Sequence, residues 1–300
     1  MKAALIRETG DPAVLQLEDV DGPEPGDGDV LVRVRAASVN PYDYKQRRGM
    51  APASLPAVLG SDFSGEVEES RAEGFAAGDE VFGRGTSGTY AQFATARAQG
   101  VARKPDPLSH EQAAAIPVVG ETAWQGLFDV GGLQSGQTAL IAGAPGGVGH
   151  LAVQLAKHAG ARVTGTGSTP NRDFVLGLGA DEYIDYTQQD VAEAARGIDV
   201  ALDTVGGETT ESLVPTLNEG GILVTIAAQP PTEAAQARGA RAEVFSSSSS
   251  PEQLMRIAEL VASGEVRLEL AEVLPLSEIQ RAHELSESGH TRGKIVLSVP

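Results

Sequence analysis

The 300-residue sequence predicts an α/β protein whose second part is a doubly wound parallel sheet. Three observations predict it. The stretch AGAPGGVGHLAVQLAKHAG, residues 142–160, joins an apolar run to a helical pattern through a glycine-rich turn. Apolar runs then alternate with helical stretches as far as RAEVF at 241–245. Finally, 300 residues with 41% hydrophobic content suit two domains with substantial cores.

The elements follow in order. The opening MKAALIRETG reads as a strand and lacks the apolar centre of a secretion signal. TALIA, 138–142, is a short apolar run of the kind buried on both faces of a parallel sheet. Beyond the glycines, Val148, Leu151, Ala152 and Leu155 recur at helical spacing, and Gly160 supplies a stop. ARVTGTG, from Ala161, completes a βαβ unit. YIDY (183–186), DVALDTV (199–205), GGILVTIAA (220–228) and RAEVF read as further strands. SSSSS at 246–250 reads as a flexible connector.

At the first strand-to-helix turn, glycine has a physical task. Gly143, Gly146 and Gly149 are spaced three apart, with Gly147 and Val148 between the last two. Positions without side chains let the backbone turn tightly and approach a pyrophosphate, whose charge then faces the N–H groups at a helix N-terminus. In a doubly wound sheet the ligand lies at the carboxyl ends of the strands. The loops at Val205–Gly207, Ala227–Gln229 (with Ala228) and Phe245–Ser246 are therefore expected to line the coenzyme.

An NAD-type site carries an acid about 20 residues past the glycines, at the end of the second strand. Here that strand runs into TGTGSTPNRD, with no acid before Asp173. Ser168, Asn171 and Arg172 offer a hydroxyl, an amide and a guanidinium instead, groups suited to a 2′-phosphate. NADPH is the expected coenzyme.

Composition narrows the partners. A formal charge of −18 disfavours nucleic acid, because an acidic surface repels a phosphate backbone. The most apolar long segment contains the Gly/Pro loop and is a poor membrane span. With no cysteine, disulfides and thiolate metal sites are excluded. The five histidines show no ligand cluster, so no metal is expected. No Ser-His-Asp set or carboxylate pair argues for hydrolysis. A cytoplasmic protein is the simplest reading.

The chain resembles the zinc-free quinone oxidoreductase branch of the medium-chain dehydrogenase/reductase superfamily. The resemblance rests on EPGDGDVLVRVRAASVNPYDYK (24–45), LGSDFSGEVE (59–68), AAGDEVFG (76–83), AAAIPVVGETAWQGL (113–127), GAPGGVG, LGADEYIDYT (178–187) and HTRGKIVL (290–297). It implies a GroES-like, β-rich catalytic domain over residues 1–117, completed by about 262–300, and a Rossmann domain over 118–261. It also implies an active-site cleft along their junction and a homodimer. Three departures stand out: Gly at 143 where the branch usually has Ala, a displaced basic residue at Arg172, and a short linker ESRAEGFAAGDE.

The resemblance implies site residues as well. Asn40 lines the substrate and nicotinamide cleft, and Lys45 stands where relatives often carry a coenzyme-contacting Tyr. Tyr42 and Tyr44 are nearby, and either phenol can donate to an oxyanion. Packing is the competing reading of Tyr44, and capping that of Asp43. Thr122 resembles the residue beside the nicotinamide ribose, Trp124 reads as core packing, and Tyr186 matches a position near the adenosine end. Asp62 is expected to support the domain junction. The implied reaction is hydride transfer from NADPH to a quinone. Reduction of an activated C=C bond (enone, alkenal or enoyl) is the close rival, and non-catalytic NADPH binding a remoter one.

Overall fold

Strand-forming runs from the two ends of the chain pair with each other in the computed structural model, which describes residues 1–300. The chain forms two units, Met1–Val118 with Ser249–Pro300, and Val119–Ser248.

The first unit opens with β1 (Lys2–Ile6), β2 (Gln16–Asp19), β3 (Asp29–Val39), α1 (Pro41–Arg47), β4 (Ala57–Val58), β5 (Asp62–Ser70), β6 (Glu80–Arg84), β7 (Phe93–Arg97), β8 (Val101–Arg103) and α2 (His110–Ala114). In the long strand β3, Val30, Val32 and Val34 point inward while Leu31, Arg33 and Arg35 are half-buried, the period-2 pattern of a strand with one covered face. Those valines meet Phe63, Val81 and Leu297 in one core.

The second unit contains α3 (which begins at Pro117 and ends at Trp124), β9 (Thr138–Ala142), α4 (Gly149–His158), β10 (Arg162–Gly167), α5 (Arg172–Gly177), β11 (Glu182–Asp185), α6 (Val191–Ala194), β12 (Ile198–Asp203), α7 (Glu208–Leu213), β13 (Leu217–Thr225), α8 (Thr232–Gln236) and β14 (Arg241–Val244). All six strands are parallel, in the order β11-β10-β9-β12-β13-β14. This is the doubly wound arrangement, with its topological switch point between β9 and β12. Burial on both faces explains why Leu140, Ile141, Ala201, Leu202, Leu223 and Val224 form near-continuous apolar runs.

The chain then returns to the first unit with α9 (Pro251–Ala262), β15 (Leu270–Pro275), α10 (Ile279–Glu287) and β16 (Lys294–Ser298). β16 lies between β15 and β3, so the larger sheet runs β15-β16-β3-β5-β6-β8, with β7 also on β3. The return comes at Ser249, ahead of the residue near 262 that the sequence suggests. The reason is α9: Leu254, Ile257, Ala258 and Val261 make one apolar face, and the helix packs on β8 of the first unit. No helix is long and apolar enough to cross a membrane.

Candidate functional site

In the second unit, the parallel sheet carries most of the expected coenzyme residues to one edge. Its six carboxyl ends lead in turn into the glycine loop, Ser168–Arg172, Tyr186, Val205, Ala227–Ala228 and Phe245–Ser246. The glycine loop has the shape its sequence demands. Gly143 has φ +74°, and a Cβ there would stand 2.5 Å from Thr204 Oγ1. At Gly149 a Cβ would fall 2.1 Å from the Gly143 carbonyl oxygen, and at Gly146 3.3 Å from it. No side chain caps the start of α4, whose N-cap is Val148. Gly146, Gly147 and Val148 are half-buried, so the backbone there is accessible. A bare helix start behind a loop that excludes side chains fits a pyrophosphate.

Around the second strand end, Asn171 Nδ2 donates to Ser168 Oγ at 3.2 Å, and Tyr183 OH donates to the Ser168 carbonyl at 2.7 Å. Arg172 is exposed, its guanidinium 5.9 Å from the centroid of the Tyr183 ring. Tyr183 thus braces the turn that carries the hydroxyl and the amide, with the guanidinium over its ring. Tyr186 is 58% exposed just past β11, available to stack on a ligand.

Asp203, at the end of β12, organises the switch point, a role that no motif in the sequence marks. Its Oδ1 accepts from the N–H groups of Val205 (2.9 Å) and Gly206 (3.0 Å). Its Oδ2 accepts from Thr210 Oγ1 (2.5 Å) and Thr225 Oγ1 (3.0 Å). Thr204 Oγ1 donates to the Ala142 carbonyl at 2.7 Å, tying this loop to the end of β9. The signal in the sequence was an acid ending an apolar strand, VALD, where a buried charge demands partners.

Thr122 is buried and shares a 2.9 Å hydroxyl contact with Ser247. One residue past α3, Gln125 donates from Nε2 to the Ser248 carbonyl (2.7 Å) and accepts the Ser248 N–H (3.0 Å). The serine run, expected to be a flexible connector, is therefore clasped at 247–248. Gln125–Val130 forms a π-helical turn, a feature sequence periodicity does not disclose. Trp124 packs edge-to-face on Phe128 at 5.0 Å, in keeping with a packing role.

In the first unit, α1 carries the other candidates. Tyr42 is 49% exposed, and Tyr44 and Lys45 are half-buried. Asn40 differs from these in its burial. It is 2% exposed, with Nδ2 donating to Asp62 Oδ2 at 2.8 Å and Oδ1 accepting from Lys294 Nζ at 2.6 Å. Both ends of its amide are anchored within the protein, so Asn40 positions the start of α1. Asp43 accepts the Asn40 N–H (2.8 Å) and the Tyr90 hydroxyl (2.6 Å), the capping role its place suggests. Burial pushes the Asp43 carboxyl up to about 6 and the Lys294 ammonium down. Asp62 also accepts from Ser38 Oγ (2.8 Å) and the Val118 N–H (3.1 Å), linking β3, β5 and the start of α3.

Behind α1, the buried Arg47 donates to His283 Nδ1 (3.2 Å), the Gly10 carbonyl (2.7 Å) and Glu287 Oε2 (2.6 Å). Burial, then the Arg47 charge, push His283 down to about 3. The unfolded chain binds this proton near pH 6.5 and the folded chain does not. Stability from a neutral His283 is therefore full above pH 6.5 and is lost as pH falls toward 3. Asp43 acts oppositely, its contribution falling as pH rises from 3.8 to about 6. The variant His283→Gln keeps an acceptor for Arg47 and should lose the acid-side slope. Denaturant titrations should show the difference in unfolding free energy between wild type and variant changing by about 1.4 kcal/mol per pH unit between about pH 4 and 6. A constant difference would remove His283 as the cause.

One arrangement invites a hydrolytic reading. His110 Nδ1 meets Ser64 Oγ at 2.8 Å and its Nε2 lies 3.4 Å from Glu80 Oε1. Ser64 is fully buried and donates its proton to the Val81 carbonyl at 3.0 Å, so this is a packing network and offers no nucleophile. No group of three or more His, Asp or Glu side chains comes together as metal ligands.

Comparison with known proteins gives these features a context. Residues 26–106 match the alcohol dehydrogenase GroES-like domain family, and residues 178–297 match the family described as zinc-binding dehydrogenase. A 2-methylene-furan-3-one reductase of Solanum lycopersicum is 35% identical, covering 99% of this chain and 79% of its own. The structure of a quinone oxidoreductase from Coxiella burnetii superimposes with a TM-score of 0.94 at 36% identity, over 100% of this chain and 99% of that one. The Escherichia coli quinone oxidoreductase, solved with NADPH, superimposes with a TM-score of 0.90 at 29% identity, over 99% and 100%.

Proposed function

The chain belongs to the zinc-free quinone oxidoreductase branch of the medium-chain dehydrogenase/reductase superfamily, and on that premise we propose that this NADPH-dependent oxidoreductase delivers hydride to a quinone. The observation that carries the proposal is the gathering of the glycine loop, Ser168–Arg172, Tyr186 and the three further loops at one sheet edge. Bound NADPH would supply the hydride, the difficult chemical step.

The chain's own residues have the other tasks. Backbone N–H groups over Gly143–Gly149 hold the pyrophosphate, and Ser168, Asn171 and Arg172 take the 2′-phosphate. Tyr186 covers the adenosine end, while Val205, Ala227, Ala228, Phe245 and Ser246 line the coenzyme. Thr122 stands beside the nicotinamide ribose, and Lys45 contacts the coenzyme from α1. Tyr42 and Tyr44 are the hydroxyl donors for negative charge developing on the acceptor oxygen. Asn40 acts through its hold on α1. The same membership implies a homodimer.

A second reading is reduction of an activated C=C bond, favoured by the 35% identity to the furanone reductase. Hydride delivery to a conjugated carbonyl needs the same machinery, and pocket shape decides between acceptors. Anaerobic NADPH oxidation should be followed with a quinone panel and an enone panel, with NADH as control. Turnover with quinones is the expected result. Turnover with enones alone would transfer the assignment to C=C reduction.

A further inference from the structure

The Ser168–Arg172 turn has an acidic neighbour that the sequence did not place there. No acid stands at the end of β10, but β11 runs parallel to it with Asp185 in register with Gly167. Asp185 Oδ2 accepts from Thr169 Oγ1 at 2.5 Å, so the carboxylate is bonded into the turn itself. Its Oδ1 accepts from Thr187, through N–H at 3.0 Å and Oγ1 at 2.6 Å. Hydrogen bonds from Thr169 and Thr187 hold this carboxyl below its ordinary value, and the Arg172 charge acts in the same direction. The group is therefore ionised at neutral pH, half-buried, and within electrostatic reach of the guanidinium assigned to the 2′-phosphate.

We propose that Asp185 is a specificity-determining residue that restrains the preference for NADPH over NADH, a proposal that rests on the 2′-phosphate reading of Ser168, Asn171 and Arg172. Two effects act together. The carboxylate repels a dianionic 2′-phosphate, and its charge offsets part of the Arg172 charge that would attract that phosphate. A ribose bearing a 2′-hydroxyl meets neither penalty. In NAD-type sites an acid at the end of the second strand selects against the phosphate. Here the acid stands one strand further along, where it weakens the selection without reversing it.

Direct binding tests this. Dissociation constants for NADPH, NADH, adenosine 2′,5′-bisphosphate and AMP should be measured by titration at low salt for wild type, Asp185→Asn and Arg172→Ala. Asparagine is isosteric at this half-buried position: its oxygen can accept from Thr187 while its NH2 donates to Thr169 Oγ1, a hydroxyl that can also accept, so the turn keeps its hydrogen bonds. Asp185→Asn should tighten NADPH and the bisphosphate about fivefold, leave NADH and AMP within about twofold, and show a gain that shrinks as salt is added. Arg172→Ala should weaken only the two 2′-phosphorylated ligands. If Arg172→Ala behaves so but Asp185→Asn leaves the NADPH-to-NADH ratio unchanged or lowers it, the proposal falls and the phosphate reading stands. If Arg172→Ala moves NADPH and NADH equally, the phosphate reading falls and takes the proposal with it.

Discussion

Lys294→Met should destabilise the first unit by about 3–5 kcal/mol, the scale of loss when a buried charge is removed and the opposite charges facing it stay behind. Lys294 is 3% exposed and donates to the Val39 carbonyl at 2.9 Å and to Asn40 Oδ1 at 2.6 Å. It is the cation that faces the buried carboxyls of Asp43 and Asp62. Methionine fills similar space but leaves Asn40 Oδ1 and the Val39 carbonyl without this donor and the acids without a counter-charge. Acidification should then recover part of the loss, because protonating Asp43 removes one uncompensated charge. Chemical denaturation at pH 7 and at about pH 5 would measure both effects. A loss under about 1 kcal/mol would mean that Lys294 is not holding the β16–β3–α1 junction together.

The second large effect belongs to the glycine loop. Gly149→Ala should weaken NADPH binding about 100-fold, or about 2.7 kcal/mol. The added Cβ would lie 2.1 Å from the Gly143 carbonyl oxygen and 2.7 Å from Ala144 Cα, both backbone atoms that cannot swing aside. The start of α4 must move away from the loop, and the N–H groups lose their common aim. Gly146→Ala is the internal control. Its Cβ would meet the same oxygen at 3.3 Å, a contact relieved by a few tenths of an ångström, so its effect should be tenfold or less. Equal effects of the two variants on the dissociation constant would show that close backbone approach is not what the glycines provide.

The parallel sheet was legible because its signals are local. TALIA, the glycines, the 3.6-residue period after them and the four later apolar runs each sit within a dozen residues, and the strands appear where those runs lie. The order of the strands brought the predicted coenzyme loops to one edge without any single residue announcing it. What the sequence hid depends on partners far away along the chain. Asn40 looks like a polar loop residue until Lys294, 254 positions later, takes its amide oxygen. The serine run looks unstructured until Thr122 and Gln125 hold it across more than 120 residues. Asp185 lies outside the strand end where an acid is sought, and only the parallel pairing of β10 with β11 carries it to the Ser168–Arg172 turn. The early return to the first unit was missed for the same reason: the apolar face of α9 is visible, but the strand it covers is not.

The central claim is that the backbone between Gly143 and Gly149 holds the pyrophosphate of NADPH. Amide hydrogen exchange, with and without saturating NADPH, tests it most directly. The account predicts slowed exchange over residues 143–151 and again over 168–172 when the coenzyme is bound. NADPH binding that leaves both segments exchanging at their free rates would contradict it.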